Sequence, residues 1–149
     1  MNNKIIIING PNLNLLGERE QSQYGSATLD DLKDNCYKKG REISLDIEFA
    51  QSNIEGELVN IIQDARKKFD GMIINAAAFT HTSVAIRDAL DLFKKPIIEL
   101  HLSNIYKREE FRHKSLISGV VTGGIFGLGV EGYILAIISL QKTLQNENR

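Results

Sequence analysis

The sequence predicts an α/β fold in which helices cover both faces of a five-stranded parallel sheet. Short β-rich apolar runs alternate along the chain with amphipathic helical stretches, as in consecutive βαβ units. Four consecutive isoleucines follow Lys4, which is typical of a parallel strand buried on both faces. The chain has 149 residues, of which 42% are hydrophobic, so we expect a single domain with one good core over residues 1–149.

Each further element has its own signal. Thr28 and Asp31 have the spacing of a capping box and predict the start of the first helix. Residues 45–49 alternate between apolar and polar side chains, which indicates a strand at the edge of the sheet. The predicted strands are 4–8, 45–49, 71–74, 96–100 and 118–122, and the predicted helices are 28–41, 54–69, 82–93 and 132–144.

The number and lengths of these elements favour one topology. Right-handed crossovers give a parallel sheet, and the compact flavodoxin-like arrangement with strand order 2-1-3-4-5 fits the chain length best. Ligands of such sheets bind outside the carboxyl ends of the strands, near the switch point between strands 1 and 3. We therefore expect the functional residues in the loops that follow strands 1, 3 and 4.

Those loops contain most of the reactive polar side chains of the chain. They hold all three histidines, which are His81, His101 and His113. They also hold asparagines that include Asn12 and Asn75, and the arginines Arg19, Arg108 and Arg112. Such groups can simply cap loops and helices. Their presence in three separate loops at one end of the sheet indicates a site.

Composition excludes several classes of function. The net charge of -1 and the pI of about 6.3 show no basic excess of the kind that binds nucleic acid. The single cysteine, Cys36, forms no internal disulfide and no cysteine-based zinc site, and we expect it in the core. No targeting segment is visible, and a strand, a turn and a helix account for the apolar stretch 120–140 better than a membrane span. We expect a cytoplasmic protein.

No cofactor or metal motif stands out. The histidines have no carboxylates at ligand spacing, and no serine lies in a G-x-S-x-G elbow. Residues 127–132 match G-x-G-x-x-G, but they open the last helix, and no strand with an acidic residue follows them. Close packing between helix and strand explains these glycines better than a nucleotide does.

The remaining chemistry is that of tyrosine, arginine, asparagine and histidine. A tyrosine beside an arginine can act as a phenolate base, and a histidine can act as the general acid. Glu99 lies two positions before His101 on the same face of a strand, where it either orients the ring or belongs to an unrelated ion pair. A helix start at Leu102 and Ser103, with Arg112 nearby, would suit a carboxylate. These features predict proton abstraction and elimination on a small anionic substrate.

Three blocks of the sequence resemble the type II 3-dehydroquinate dehydratases. The first is Gly10-Pro11-Asn12-Leu13-Asn14 with Leu16-Gly17, Arg19 and Tyr24-Gly25, the second is Thr80 to Ala85 with Arg87 to Leu90, and the third is Glu99 to Asn104 with Arg108 to His113. The blocks follow one another in the family's order and extend from the first strand toward the last helix.

The resemblance implies conversion of 3-dehydroquinate to 3-dehydroshikimate and water in the shikimate pathway, by anti elimination through an enolate and without cofactor or metal. It makes Tyr24 the base, Arg19 the group that lowers the tyrosine pKa, and Asn12 the holder of a water against the enolate. His101 would protonate the leaving hydroxyl with Glu99 behind it. The implied substrate-binding residues are Asn75, His81, Asp88, Leu102, Ser103 and Arg112, and Asp88 would act in a neighbouring subunit of a dodecamer built from trimers.

Two positions depart from the family pattern. Ala76 and Ala77 stand where proline and glycine are frequent, and Phe79 stands where tyrosine is common. Both departures bear on the strength of binding rather than on catalysis.

The competing hypothesis is a non-catalytic flavodoxin-like module, either a flavin carrier or a signalling receiver. The sequence lacks the hydroxyl-rich phosphate loop of the former and the acidic cluster of the latter.

Overall fold

A computed structural model of the chain describes residues 1–18 and 25–147. The strands are β1 (Lys4–Asn9), β2 (Asp46–Gln51), β3 (Gly71–Asn75), β4 (Ile97–His101) and β5 (Gly123–Phe126). The helices are α1 (Leu29–Glu42), α2 (Glu55–Lys68), α3 (Val84–Asp91) and α4 (Glu131–Glu147). All neighbouring strands pair in parallel in the order β2-β1-β3-β4-β5, so the predicted fold and topology are confirmed.

The strand register brings specific polar residues side by side. At the carboxyl end of β1, Asn9 pairs with Gln51 on one side and with Asn75 on the other. Glu99 of β4 pairs with Ile74 of β3, and His101 lies one pleat further, at the end of β4. The sheet thus places amide, carboxylate and imidazole side chains at the same end.

Two apolar layers hold the helices against the sheet. Ile5 and Ile7 point into the layer beneath α1 and α4, whereas Ile6 and Ile8 point into the layer beneath α2 and α3. All four isoleucines are at most 4% exposed, and full burial of such a side chain contributes about 1.5–3 kcal/mol. The uninterrupted run after Lys4 is explained by a strand covered on both faces.

The start of α1 confirms the predicted capping box. The Asp31 backbone N–H donates to Thr28 Oγ1 at 3.1 Å, and the Thr28 N–H donates to the Asp31 carboxylate at 3.0 Å. Cys36 of this helix is fully buried, and burial raises the pKa of its thiol to about 12. The cysteine is a core residue, as predicted.

The fifth strand does not lie where the sequence predicts it. Residues 118–120 form a 3-10 turn, and the strand begins at Gly123 instead. The turn is stabilised because Ser115 Oγ accepts the backbone N–H groups of Ile117 and Ser118 at 3.2 and 3.0 Å. This local side-chain capping outweighs the β propensity of the valines that follow. Helix α3 begins at Val84, later than predicted, because Ser83 is its N-cap and its hydroxyl accepts from the Ile86 N–H.

Gly132, in the first turn of α4, serves close packing as predicted, whereas Gly127 and Gly129 have φ of 85° and 64°, which favours glycine at these positions. A Cβ on Gly132 would lie 3.0 Å from Leu100 Cδ1, so glycine lets the helix approach β4 closely. Within residues 1–18 and 25–147, none of the helices combines the length and the apolar character needed to cross a bilayer.

Candidate active site

A pocket opens at the carboxyl ends of β1, β3 and β4, where the topology predicts a site. Its lining comes from the three loops that follow these strands. The lining residues are Pro11, Asn12, Leu13, Leu16, Asn75, Ala77, Ala78, His81, His101, Leu102, Ser103, Ile105, Arg108 and Arg112.

Most of the predicted site residues meet at this pocket. Seven of them line it, namely Asn12, Asn75, His81, His101, Leu102, Ser103 and Arg112. Glu99 lies behind His101 and contacts it directly. Asp88 lies on α3 with an exposed carboxylate 3.4 Å from Arg87 Nη1, and it does not line the pocket. Arg19 and Tyr24 lie outside the described residues.

The loop after β1 is held tightly against the loop after β3. The Gly10 N–H donates to the carbonyl of Asn75 at 2.8 Å. A Cβ on Gly10 would lie 2.5 Å from the backbone oxygen of Ala76, so only glycine fits there. This contact explains the glycine of the first motif and brings the two halves of the pocket together.

Asn12 adopts a left-handed backbone conformation with φ 71°, which asparagine tolerates better than most residues. Its backbone N–H donates to Asn53 Oδ1 at 2.9 Å, and Gln51 Nε2 donates to the same oxygen at 3.1 Å. Gln51 also donates to the carbonyl of Gly10 at 3.1 Å. The side-chain amides of Gln51, at the end of β2, and of Asn53, just after it, thus fix the Asn12 backbone at the pocket rim.

A buried chain of hydrogen bonds orients Asn75. Asn75 Nδ2 donates to the hydroxyl of Tyr133 at 3.0 Å, and this hydroxyl donates to Asn9 Oδ1 at 2.7 Å. Asn9 Nδ2 in turn donates to the carbonyl of Ala50 at 3.0 Å. Burial raises the pKa of Tyr133 far above its usual range, so the side chain is a neutral phenol that fixes one orientation of each amide.

Glu99 and His101 form a buried pair at the floor of the pocket. His101 Nε2 lies 2.6 Å from Glu99 Oε2, and the two residues are 8% and 5% exposed. The pKa of Glu99 is lowered although burial alone would raise it, because His101, Ser118 and Ser115 hydrogen-bond to the charged carboxylate. An ionised carboxylate only accepts, so Nε2 donates to it and Nδ1 is left for a ligand. The hypothesis that Glu99 orients the ring is therefore supported by the geometry, and that of an unrelated ion pair is not.

His81 is a neutral hydrogen-bonding group. Its Nδ1 lies 2.8 Å from the carbonyl of Lys114, so this nitrogen carries the proton and Nε2 is an acceptor. Burial lowers the pKa of His81, helped by the nearby positive charges of His101 and Arg112 and opposed by the Lys114 carbonyl. The rings of His81 and His101 stack with centroids 6.3 Å apart. His81 can therefore accept a hydrogen bond from a ligand hydroxyl, beside His101, which can supply a proton.

The third loop supplies cationic groups. Arg112 Nε lies 3.2 Å from Glu109 Oε1, and Arg108 Nη1 lies 3.4 Å from Ser103 Oγ. Both guanidinium groups line the pocket, which suits it to an anionic ligand. His113 lies in the loop after β4, as predicted, but it bonds to the carbonyl of Arg108 at 3.1 Å and does not line the pocket.

The predicted helix start at Leu102 and Ser103 is also wrong. The first helical turn after β4 is a 3-10 segment of three residues, Ile105–Lys107, and Asn104 Oδ1 caps it by accepting from the Tyr106 N–H. So short a turn has no appreciable dipole. A ligand carboxylate would be bound by the Arg112 side chain and by local backbone N–H groups rather than by a helix terminus.

Sequence reasoning missed several contributors. Tyr133, Ser115 and Ser118 lie in distant segments and act through Asn75 and Glu99. Their roles depend on tertiary contacts, so no spacing rule finds them. Arg108 was recognised in the loop after strand 4 and in the third block, but it was not among the predicted substrate-binding residues.

Comparison with known proteins identifies relatives over nearly the whole chain. The family model described as Dehydroquinase class II matches residues 3–141. The 3-dehydroquinate dehydratase of Rhizobium johnstonii is 50% identical over 141 residues, which cover 95% of this chain and 97% of that protein. The 3-dehydroquinate dehydratase of Clostridium perfringens is 50% identical over 145 residues, covering 97% of this chain and 99% of that one.

Solved structures are similar to the same extent. The type II dehydroquinase from Propionibacterium acnes superposes with a TM-score of 0.92 at 45% identity, covering 95% of this chain and 98% of that chain. The type II dehydroquinase from Butyrivibrio crossotus gives a TM-score of 0.91 at 44% identity, with 93% and 97% covered. The likeness therefore extends over nearly the whole chain.

Proposed function

The chain belongs to the class II dehydroquinase family, and from this premise we propose that its pocket converts 3-dehydroquinate to 3-dehydroshikimate and water by anti elimination through an enolate. Membership makes the chain an enzyme, a hydro-lyase, and removes the alternative of a non-catalytic flavodoxin-like module.

The first step removes a proton from C2, which is acidified by the neighbouring ketone. We assign it to the phenolate of Tyr24, and we assign to Arg19 the role of favouring the ionised phenol. The C–H electron pair moves into the ketone and forms an enolate. Asn12, whose backbone is fixed by Asn53, would hold a water against the enolate oxygen.

The second step expels the C1 hydroxyl. His101 donates a proton to this oxygen from Nδ1, the enolate collapses to form the C1–C2 double bond, and water leaves. Nε2 already donates to Glu99, so a proton on Nδ1 makes the ring an imidazolium whose charge the buried carboxylate balances. The contact between His101 and Glu99 is the observation that carries the proposal.

Binding uses the remaining lining residues. Arg112 and the backbone near Leu102 and Ser103 would bind the substrate carboxylate, and neutral His81 and Asn75 would bind hydroxyl groups. No cofactor or metal has a role in this mechanism. We propose that the enzyme acts in the cytoplasm, as one catalytic domain.

The assembly completes the proposal. Asp88 is exposed on α3, outside its own pocket, which is compatible with a role in the site of a neighbouring subunit. Helix α4 buries one face in the core and still exposes Leu135 and Ile138, each by 44%. We propose a dodecamer of four trimers, and light scattering that finds a fully active monomer would refute it.

Two experiments test the mechanism. Substrate deuterated stereospecifically at C2 should lose the label that lies anti to the C1 hydroxyl, whereas loss of the syn label contradicts the proposed geometry.

Borohydride added during turnover should leave the protein mass unchanged, because no lysine forms a Schiff base with the ketone. A substrate-dependent mass increase at Lys107 or Lys114, the lysines nearest the active loop in the sequence, would require a covalent route.

A further inference from the structure

The segment 114–118 contacts the groups that control both histidines of the pocket. The carbonyl of Lys114 accepts the Nδ1–H of His81 at 2.8 Å. The Leu116 N–H donates to the carbonyl of Thr80 at 2.8 Å, which ties the segment to the 3-10 turn that carries His81. One side of the segment is therefore fixed to the loop after β3.

The other side of the segment holds Glu99 through two serines. Ser115 Oγ donates to Glu99 Oε2 at 3.0 Å, and the Ser118 hydroxyl donates to Oε1. Oε2 also accepts from His101. Both carboxylate oxygens are thus engaged, and the carboxylate cannot rotate without breaking a hydrogen bond.

We propose that Ser118 and Ser115 are positioning residues for the dehydration, which hold the Glu99 carboxylate in the one orientation that orients His101. This inference rests on the proposed function of His101 as the general acid. The two serines are not equivalent, because Ser115 Oγ also accepts two backbone N–H groups and shapes the turn. The Ser118 side chain contacts Glu99, so its removal tests the proposal with the least disturbance.

The surroundings of Glu99 leave few other groups to hold its charge. Its register partners on β3 and β5 are Ile74 and Gly124, which carry no charge. Among the described residues, the titratable groups coupled to it are His101 on the same strand and His81 on the 3-10 turn after β3. A hydroxyl that donates to the ionised carboxylate favours the ionised form, so loss of the Ser118 hydroxyl should raise the pKa of Glu99.

The test measures Glu99 directly in the complete, substrate-free enzyme. Carbon-13 NMR of the Glu99 side-chain carboxyl should show that Ser118→Ala raises its titration midpoint by about one pH unit, the size expected for one hydrogen bond to a charged group. Ser118→Thr, which keeps the hydroxyl, should restore the wild-type midpoint. Gly119→Ala is the matched control in the same turn, because its added Cβ meets no atom within 4 Å.

Activity provides the second readout. In Ser118→Ala kcat should fall while KM stays near the wild-type value, and Ser118→Thr should restore kcat. An unchanged Glu99 midpoint, or a wild-type kcat in Ser118→Ala, overturns the positioning role. Failure of the wild-type enzyme to dehydrate 3-dehydroquinate would contradict the proposed function instead, and the NMR midpoint would still show whether Ser118 holds the carboxylate.

Discussion

The hydroxyl of Tyr133 donates to Oδ1 of Asn9 at 2.7 Å, across 124 positions of sequence. This bond joins the last helix to the end of the first strand beneath the pocket. The same hydroxyl accepts from Asn75, so one phenol oxygen fixes the side chains of the last residues of two neighbouring strands, β1 and β3. The orientation of a substrate-binding amide is therefore set by a residue that does not line the pocket.

Tyr133→Phe should cost stability and binding together. The change removes only the hydroxyl and leaves two buried polar atoms, on Asn9 and Asn75, without their partner. Such a loss costs about 1–3 kcal/mol, and we expect KM to rise about tenfold if 1.4 kcal/mol of it falls on substrate binding. Urea unfolding and steady-state kinetics measure the two effects. Tyr37→Phe on α1 is the control and should change neither, whereas a wild-type KM in Tyr133→Phe would show that Asn75 needs no such support.

Ala77→Gly should stabilise the protein. Ala77 has φ 52°, a left-handed conformation that costs an alanine about 1–2 kcal/mol and glycine almost nothing. After the greater flexibility of glycine in the unfolded chain is subtracted, we expect a gain of roughly 0.5–1 kcal/mol in the free energy of unfolding. Ala78→Gly, one residue along and without a positive φ, should instead destabilise. Equal destabilisation by both variants would contradict the backbone strain inferred at Ala77.

Glu99→Gln should lower kcat and change KM little. The amide keeps the size of the side chain but cannot balance an imidazolium, so His101 would lose the charged form needed to protonate the leaving hydroxyl. General acid catalysis typically contributes about 10²–10⁴-fold, and we expect a loss of at least about 10² in kcat. Thermal unfolding of the variant shows whether the fold is kept. A variant with near-wild-type kcat would remove Glu99 from the mechanism.

The pH dependence of stability should reveal His81. Its folded-state pKa lies below the ordinary 6.5, so the unfolded chain binds the proton more tightly. The stability from neutral His81 is present above about pH 6.5 and is lost as pH falls through the lower folded value. Urea unfolding between pH 5 and 8 should show this loss in the wild type and a smaller one in His81→Asn. The loss from Glu99 lies at lower pH, because its folded pKa is below 4.5. A pH profile of His81→Asn identical to that of the wild type would refute the assignment.

The fold was predictable because its signals are local. Four consecutive isoleucines indicate a doubly buried strand, and the Thr28 capping box marks a helix start that the structure reproduces. The fifth strand was misplaced because Ser115 caps a turn through a side-chain hydrogen bond that the β propensity of Val120 and Val121 does not reveal.

The candidate site was predictable to the extent that its residues lie at strand ends. Asn75 and His101 end β3 and β4, His81 lies in the loop after β3, and the three side chains meet as expected. The supporting residues were not predictable, because Tyr133 and Ser118 reach the site from elements far along the chain and only the folded structure brings them there.

The most direct test of the central claim is ultraviolet detection of the conjugated enone that dehydration of 3-dehydroquinate produces. Purified wild-type protein, treated with a chelator and without added nucleotide, should form the enone. Tyr24→Phe and His101→Asn should each lower the rate by about 10²-fold or more, while both variants still bind the substrate. Absence of enone formation by the folded wild-type protein, or near-wild-type rates in both variants, would contradict elimination by this pocket.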